Sequence, residues 1–357
     1  MVRSAVIVGG GIGGLAAAIG LRRVGWVATV IERHPVLDDV GAGISLAANG
    51  IRALDVLGVG DTVREAGRYQ YAAGTRTPSG RWLARIDGAA LERKAGTPIV
   101  GTARSVLHQL LRAALPQEAL MVGVEVSGVE CSGTGPARVA CGDTVLDADL
   151  VVAADGVGSR LRSQLFPAHP GAVYSGSSVL RAITGNAIDL RTDFELTWGP
   201  GVEFGHIAFA DGRAEWHAVL TAPAGVRHPD PLREMRRRFG SWHDPIPALL
   251  EATRPHDVLH HDMHELATPL PCYIVGAALA ARPPPRCRGP AIADNGTDPR
   301  PASPPISNRA GIQSCPEPRR HSAGAHSRDP GPPARSARSA PSTAASAHSA
   351  PPRRGTS

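Results

Sequence analysis

Short apolar runs and a stretch of small residues alternate over the first 33 positions of the chain. The runs at 3–8 and 27–31 are mostly apolar and end abruptly, as buried strands do, and residues 13–24 between them suit a helix. This order predicts a strand–helix–strand unit at the start of the fold.

The rest of the pattern predicts a mixed α/β chain. Segment 39–49 is glycine-rich and has no clear period, whereas 122–145 and 172–219 alternate apolar and polar residues, which indicates two antiparallel sheets. Four strands are expected within 172–219. Further helices are expected at 51–57, 104–115, 231–239 and 245–253, and further strands at 150–154 and 257–266.

Three glycines follow the first predicted strand with dinucleotide-binding spacing. Gly9, Gly11 and Gly14 form G-x-G-x-x-G, and Glu32 ends the second strand about 20 residues later. The glycines allow a tight turn, close approach of a pyrophosphate and close helix packing, and the helix N-terminus favours phosphate. Glu32 can accept hydrogen bonds from a ribose diol. A signal peptide is the alternative, but glycine-rich sequence suits it poorly and no cleavage-like segment follows.

Two further positions are candidates for cofactor contact. Arg104 is the first residue of a predicted helix, where a positive charge is unfavourable for the helix dipole. It therefore either contacts a phosphate or a flavin oxygen or is a solvated surface arginine. Asp155 and Gly156 follow the strand at 150–154, at the edge of the sheet where ligands bind in open α/β folds. The alternative for Asp155 is a helix cap.

Composition separates the last 81 residues from the rest. Residues 277–357 contain half of the 32 prolines, no Phe, Trp, Tyr or Val, and one leucine. Such a segment buries too little apolar surface to offset its ordering entropy, so it is expected to be disordered. It holds 12 arginines and 4 acidic residues, which leaves 26 basic and 28 acidic residues before it. The basic balance of the chain therefore comes from this segment.

The cysteine and histidine spacings argue against a disulfide-rich secreted protein and against a metal-binding protein. The five cysteines show no disulfide or metal spacing, which fits a reducing cytoplasm. Of the 14 histidines, four cluster in sequence, but the segment is predicted as a strand, on which they face different ways, so we expect no metal site there; they are His256, His260, His261 and His264. No apolar run reaches transmembrane length. We therefore expect a cytoplasmic protein with no metal, no membrane association and no specific nucleic-acid partner; the oligomeric state is not predicted.

The motifs together resemble the single-component FAD-dependent aromatic hydroxylases, of the salicylate and para-hydroxybenzoate hydroxylase type. The resemblance covers about residues 1–276. Its segments are GGGIGGLAAAIGLRRVG, VIERHP, GAGISLAANGIRALDVLGV, RSVLHQLL, DLVVAADGVGSRLR, YSGSSVLRAI, WHDPIPALLEAT and LHHDMHELATPLP. It implies a flavoprotein monooxygenase that uses NADH or NADPH and O₂ to hydroxylate a small aromatic substrate. The sequence identifies no catalytic base.

The resemblance also implies a fold and a set of FAD-binding residues. The expected fold is α/β, with a Rossmann-like FAD-binding βαβ domain at 1–170, an antiparallel β-sheet substrate domain at 171–276 and a disordered tail at 277–357. Glu32 would bind the adenosine ribose, and Arg104 and Asp155 would lie near the cofactor. The candidate cofactor-binding residues are Gly9, Gly11, Gly14, Glu32, Arg33, Gly43, Arg104, Asp155 and Gly156.

After residue 276 the chain departs from the family pattern. The family's Gly-Asp motif, which contacts the flavin, is absent, and Arg, Pro, Ala, Gly and Ser predominate. We expect a truncated or frame-shifted C-terminus, with a natural low-complexity tail as the alternative. The functional alternatives are a non-catalytic product and a flavoprotein oxidase or reductase on the same scaffold.

Overall fold

The structure is a computed structural model that describes residues 2–37, 42–131, 135–275 and 278–280. These residues all lie in one compact unit, Met1–Ala293. The predictions of a disordered tail and of a shifted reading frame concern residues that lie almost entirely outside the described part of the chain.

Strands and helices are numbered along the chain. The strands are β1 (Ser4–Val8), β2 (Val27–Glu32), β3 (Gly43–Leu46), β4 (Arg68–Tyr69), β5 (Ala72–Arg76), β6 (Trp82–Asp87), β7 (Val100–Ala103), β8 (Leu120–Val122), β9 (Val126–Glu130), β10 (Ala137–Cys141), β11 (Thr144–Ala148), β12 (Leu150–Ala153), β13 (Ala172–Ile183), β14 (Phe194–Gly199), β15 (Val202–Ala208), β16 (Ala214–Thr221), β17 (Leu259–Leu266), β18 (Ile274–Val275) and β19 (Ala278–Ala280). The α-helices are α1 (Ile12–Arg23), α2 (Ala48–Leu57), α3 (Gly60–Ala66), α4 (Gly88–Ala95), α5 (Arg104–Ala113), α6 (Arg160–Leu165), α7 (Pro231–Phe239) and α8 (Ile246–Glu251).

A largely parallel sheet forms the half of the fold that contains the predicted dinucleotide motif, and we call this half the nucleotide-binding half. Its order is β18-β19-β12-β1-β2-β8, and β1 pairs in parallel with both β12 and β2. Both faces of β1 are covered, which explains its continuous apolar run. Ile7 and Leu15 belong to the cluster on the α1 and α5 side, and Val6 belongs to the cluster with the small antiparallel sheet β11-β10-β9.

A second, seven-stranded sheet forms the other half, in the order β17-β13-β16-β15-β14-β5-β6. Leu180, Phe204 and Trp216 point from one of its faces into a core with α7 and α8. The opposite face meets the nucleotide-binding half, where Ala103 of β7 packs with Ile207 and Phe209. A three-stranded sheet, β3-β7-β4, lies on the nucleotide side of that contact.

The structure confirms the α/β prediction and most of the expected elements. It also contains elements that the pattern did not predict. Segment 39–49 contains β3, which pairs with β7, and the helix expected at 51–57 begins at Ala48. The hairpin of β5 and β6 was missed, and it joins the second sheet through β14. Ala278–Ala280, assigned by composition to the tail, form β19 beside β12.

None of the helices in the described residues is both long and apolar enough to cross a membrane. The same residues bring no three His, Cys, Asp or Glu side chains together in an arrangement that could hold a metal ion.

Candidate functional site: a glycine turn and a polar sheet face

The glycine turn connects β1 to α1 at the carboxyl edge of the parallel sheet. Gly9 has a φ of +110°, and a Cβ there would collide with the carbonyl of Ala154. A Cβ on Gly14 would collide with the carbonyl of Gly9. These two glycines are therefore required by the fold itself, because no side chain fits either position.

Gly11 and Gly13 differ from these two glycines because they border open space. A Cβ at either position would meet no atom within 4 Å. Gly11 is the N-cap of α1, and the helix begins with neither a side-chain cap nor an acidic residue in its first turn. The N-terminus of α1 thus presents N–H groups and its positive dipole end to open space, an arrangement that suits a diphosphate.

Glu32 fixes the shape of this turn. Its two carboxylate oxygens accept the backbone N–H groups of Gly10 at 2.7 Å and His34 at 2.9 Å. Each oxygen keeps a further lone pair, so a ribose hydroxyl can still donate to it. Arg33, the next residue, is exposed at the end of β2.

The Asp-Gly turn lies beside the glycine turn, as its position after a neighbouring strand predicts. Ala154 donates its N–H to Val8 at 2.8 Å, and a Cβ at Gly9 would lie 3.1 Å from the nitrogen of Asp155. Asp155 accepts the Ser159 hydroxyl at 2.6 Å and the N–H of Leu161 at 3.2 Å. The N-cap of α6 is Ser159, which accepts the N–H of Arg162 at 2.9 Å, so Asp155 supports the start of this helix without being its cap residue.

Arg104 and Gly43 meet at a second point, between the two halves. Gly43 pairs with Ala103, and the N–H of Arg104 donates to the carbonyl of Ala42 at 2.7 Å. One helical turn later, buried His108 lies with Nε2 2.7 Å from the carbonyl oxygen of Gly10. His108 was not predicted from the sequence, although it follows Arg104 by four residues on the same helix.

These residues fit the adenosine diphosphate end of a dinucleotide. Gly11 and Gly13 border open space at the uncapped N-terminus of α1. The carboxylate of Glu32 binds the same turn through the N–H of Gly10. Gly9, Gly14, Asp155 and Gly156 shape the adjacent backbone, and Gly156 has a φ of +87° that favours glycine.

A second group of polar residues lies on the seven-stranded sheet, and we call it the sheet-face cluster. Its members are Arg181, Glu203, Glu215 and His217. They alternate with residues of the α7–α8 core, so they occupy the opposite face, toward the nucleotide-binding half. A Cβ at Gly43 would lie 2.8 Å from Cβ of Glu215.

His217 is the centre of this cluster. Its Nδ1 lies 3.1 Å from Oε2 of Glu215, and its Nε2 lies 3.9 Å from Oε1 of Glu203. Burial lowers the pKa of His217, but the two glutamates outweigh burial and Arg181, so the net pKa is raised.

Comparisons with known proteins agree with this geometry. A family model described as FAD binding domain matches residues 3–192. The chain is 34% identical over 277 residues to an aurachin C monooxygenase/isomerase of Stigmatella aurantiaca, covering 77% of this chain and 72% of the relative. It is 30% identical to a 6-hydroxynicotinate 3-monooxygenase of Bordetella bronchiseptica, and the match covers 69% of this chain and 67% of that relative. It is 33% identical to a 3-amino-4-hydroxybenzoate 2-monooxygenase of Streptomyces cremeus, covering 67% of this chain but 62% of that one.

A solved structure shares the fold. Klebsiella pneumoniae HpxO complexed with FAD and uric acid superposes with a TM-score of 0.71 and 23% identity, over 78% of this chain and 72% of that one.

Proposed function

Because the chain belongs to the FAD binding domain family, we propose that it is an FAD-dependent monooxygenase that hydroxylates a small aromatic substrate with NADH or NADPH and O₂. The observation that carries the proposal is the pair of adjacent turns at the sheet edge. One is open at the uncapped N-terminus of α1, and the other follows β12 beside it.

The residues proposed to hold FAD are those named from the sequence. The N–H groups at the start of α1 bind the diphosphate, and Glu32 accepts a ribose hydroxyl while it holds Gly10. The other proposed contacts are Gly9, Gly11, Gly14, Arg33, Gly43, Arg104, Asp155 and Gly156.

When bound, FAD supplies the redox chemistry that takes electrons from NADH or NADPH and delivers one oxygen atom of O₂ to the ring. The chain itself supplies position and shelter. Ile207 and Phe209 pack against Ala103 beside the sheet-face cluster and exclude water from that contact. The substrate would then lie between the face of the seven-stranded sheet and the nucleotide-binding half, next to the cofactor.

The relatives support a small aromatic substrate. Two of the relatives described above are named as monooxygenases of 6-hydroxynicotinate and of 3-amino-4-hydroxybenzoate. All three relatives named above are monooxygenases, which disfavours the non-catalytic product and the oxidase or reductase. The cysteines of the described residues, Cys131, Cys141 and Cys272, are free thiols, which supports a reducing compartment such as the cytoplasm.

Gly11→Ala tests the cofactor cradle. Its methyl group enters open space, so the cofactor-free protein should unfold at nearly the same denaturant concentration, whereas FAD affinity should fall about tenfold or more by steric conflict with the diphosphate. Gly50→Ala is the matched control, because Gly50 also borders open space but lies in α2. Equal FAD retention in the Gly11 variant and the parent contradicts the site. FAD-dependent NAD(P)H oxidation, stimulated by an aromatic compound and matched by hydroxylated product, tests the reaction.

A further inference from the structure

We propose that His108 is a positioning residue for the cofactor. Its imidazole holds the carbonyl group of Gly10, and the next N–H, that of Gly11, is thereby aimed at the diphosphate of the bound dinucleotide. This inference rests on the proposed function and adds to it a residue outside the glycine motif, on a different helix.

The surroundings of His108 define which nitrogen carries its proton. His108 is only 3% exposed, and its Nε2 lies 2.7 Å from the carbonyl oxygen of Gly10. A carbonyl oxygen only accepts hydrogen bonds, so Nε2 carries the proton and donates it. In the neutral imidazole Nδ1 is then a bare acceptor, and it is buried without a hydrogen-bond partner among the described residues.

Gly10 is held from two sides. Its N–H donates to Oε2 of Glu32 at 2.7 Å, and its carbonyl oxygen accepts from His108. Strand β2 therefore fixes one end of this residue and α5 fixes the other, directly before α1 begins. A run of glycines has a wide choice of backbone conformations, and these two hydrogen bonds select one of them.

The direction of the Gly11 N–H follows from the planar trans peptide that joins it to Gly10. In such a peptide the C=O and the N–H point opposite ways, so a carbonyl turned toward His108 turns the N–H of Gly11 away from α5. Gly11 is the N-cap of α1, and a Cβ there would meet no atom within 4 Å, so a diphosphate has room to approach. The hydrogen bond at the carbonyl also polarises the peptide, which makes its N–H a stronger donor.

The stability of the fold alone does not account for an imidazole at this position. Helix α5 already packs into the core with α1 through Leu15, Leu107 and Leu111, so it needs no polar side chain to dock. A buried acceptor without a partner, as Nδ1 is, lowers the free energy of unfolding relative to an apolar side chain of similar size. The effect of its donor on the glycine turn is therefore the better explanation of His108.

The test compares two replacements of nearly equal shape in the full chain. His108→Gln keeps an N–H donor, whereas His108→Met has the same length and no donor. FAD affinity, measured by flavin fluorescence on titration of the cofactor-free chain, should fall about tenfold or more in His108→Met and stay within about threefold of the parent in His108→Gln. ADP, which has the diphosphate and no flavin, should give the same order in competition. His206→Met, which replaces another buried histidine on β15, is the control and should bind FAD as the parent does.

A second measurement uses the parent chain, so it does not depend on the folding of His108→Met. In NMR of the chain labelled with ¹⁵N-histidine, the His108 signals are those absent from His108→Gln. The proton on Nε2 should move downfield when ADP saturates the site, because a phosphate on the Gly11 N–H polarises the same peptide and strengthens the hydrogen bond at its carbonyl.

The outcomes separate this inference from the proposed function. Equal FAD affinity in His108→Met and His108→Gln, or an Nε2 proton that does not move downfield with ADP, overturns the positioning role while FAD binding by the parent still stands. A parent chain that binds neither FAD nor ADP overturns the proposed function, and this inference with it.

Discussion

At the scale of single residues, Glu32 carries two backbone hydrogen bonds and one proposed ribose contact. Glu32→Gln replaces one acceptor oxygen by a donor, so either Gly10 or His34 loses its partner. We expect the free energy of unfolding without cofactor to fall by about 1–3 kcal/mol, and FAD affinity to fall as well. Denaturant unfolding and FAD titration measure the two effects, with exposed Glu65→Gln as the control. Unchanged stability and FAD affinity would show that Glu32 is only a surface residue.

Buried His206 gives the second prediction at this scale. Burial lowers the pKa of His206 to about 4, and its Nε2 lies 3.2 Å from the hydroxyl of Thr192. The unfolded chain takes up a proton below about pH 6.5, whereas the folded chain keeps His206 neutral until about pH 4. Stability is therefore lost as the pH falls through this window, by about 2 kcal/mol between pH 7.5 and 5.

The comparison that isolates this effect is His206→Gln, which has no imidazole to titrate. Its stability difference from the parent should shrink by about 2 kcal/mol between pH 7.5 and 5 in urea unfolding. His256→Gln should keep the pH dependence of the parent, because this histidine is exposed. A parallel pH dependence in the parent and His206→Gln would contradict the buried neutral state.

At the scale of elements, Asp193 attaches the β5–β6 hairpin to the second sheet. Its carboxylate accepts the N–H groups of Tyr71 and Ala72, both at 2.9 Å, and Nε of Arg68 at 2.8 Å. Asp193→Ala leaves these donors without their acceptor and should cost about 3 kcal/mol or more. Exposed Asp211→Ala, which breaks a surface pair with Arg213, should cost less than about 1 kcal/mol.

Thermal unfolding measures both variants, and hydrogen exchange locates the damage. Faster exchange in β5 and β6 of Asp193→Ala is expected at temperatures where the rest of the protein stays protected. If exchange rises equally in all strands, Asp193 stabilises the whole fold rather than the attachment of the hairpin.

The elements also show what a single sequence can predict. The βαβ unit and strands β13–β17 were predicted because the spacing of their apolar residues and the lengths of their apolar segments agree with their burial in the fold. The β5–β6 hairpin was not, because β6 is a mostly exposed edge strand and β5 pairs with β14, far along the chain. Pairing at such separation leaves no local pattern.

The same limit applies to the site. Gly9, Gly14 and Glu32 were predictable because their roles depend on spacing within one motif. His108 reaches Gly10 only through the packing of α5 against α1, and His217 gains its partners from three different strands. The sequence therefore predicts the glycine turn and omits the sheet-face cluster.

At the scale of the whole molecule, the two halves share one compact unit and a packed contact at Ala103, Ile207 and Phe209. We expect FAD bound at α1 to slow hydrogen exchange in β15 and β16 as well as in β1, because a ligand that binds only the folded state stabilises every segment that unfolds with it. Exchange measured with and without saturating FAD checks this. Protection confined to the nucleotide-binding half would show that the halves unfold independently.

The parallel pairing of β5 with β14 has a consequence for how the protein is made. The ribosome delivers residues 72–76 more than a hundred residues before their partners at 194–199. During that interval the hairpin's strands have an unpaired edge, which is open to incorrect association. The central strands of the second sheet must emerge before the hairpin can be placed, so its docking is a late step of biogenesis. Slower translation well after residue 221, where β16 ends and β14–β16 can leave the ribosome, should therefore favour correct folding more than slower translation at residue 170, before any of these strands is made.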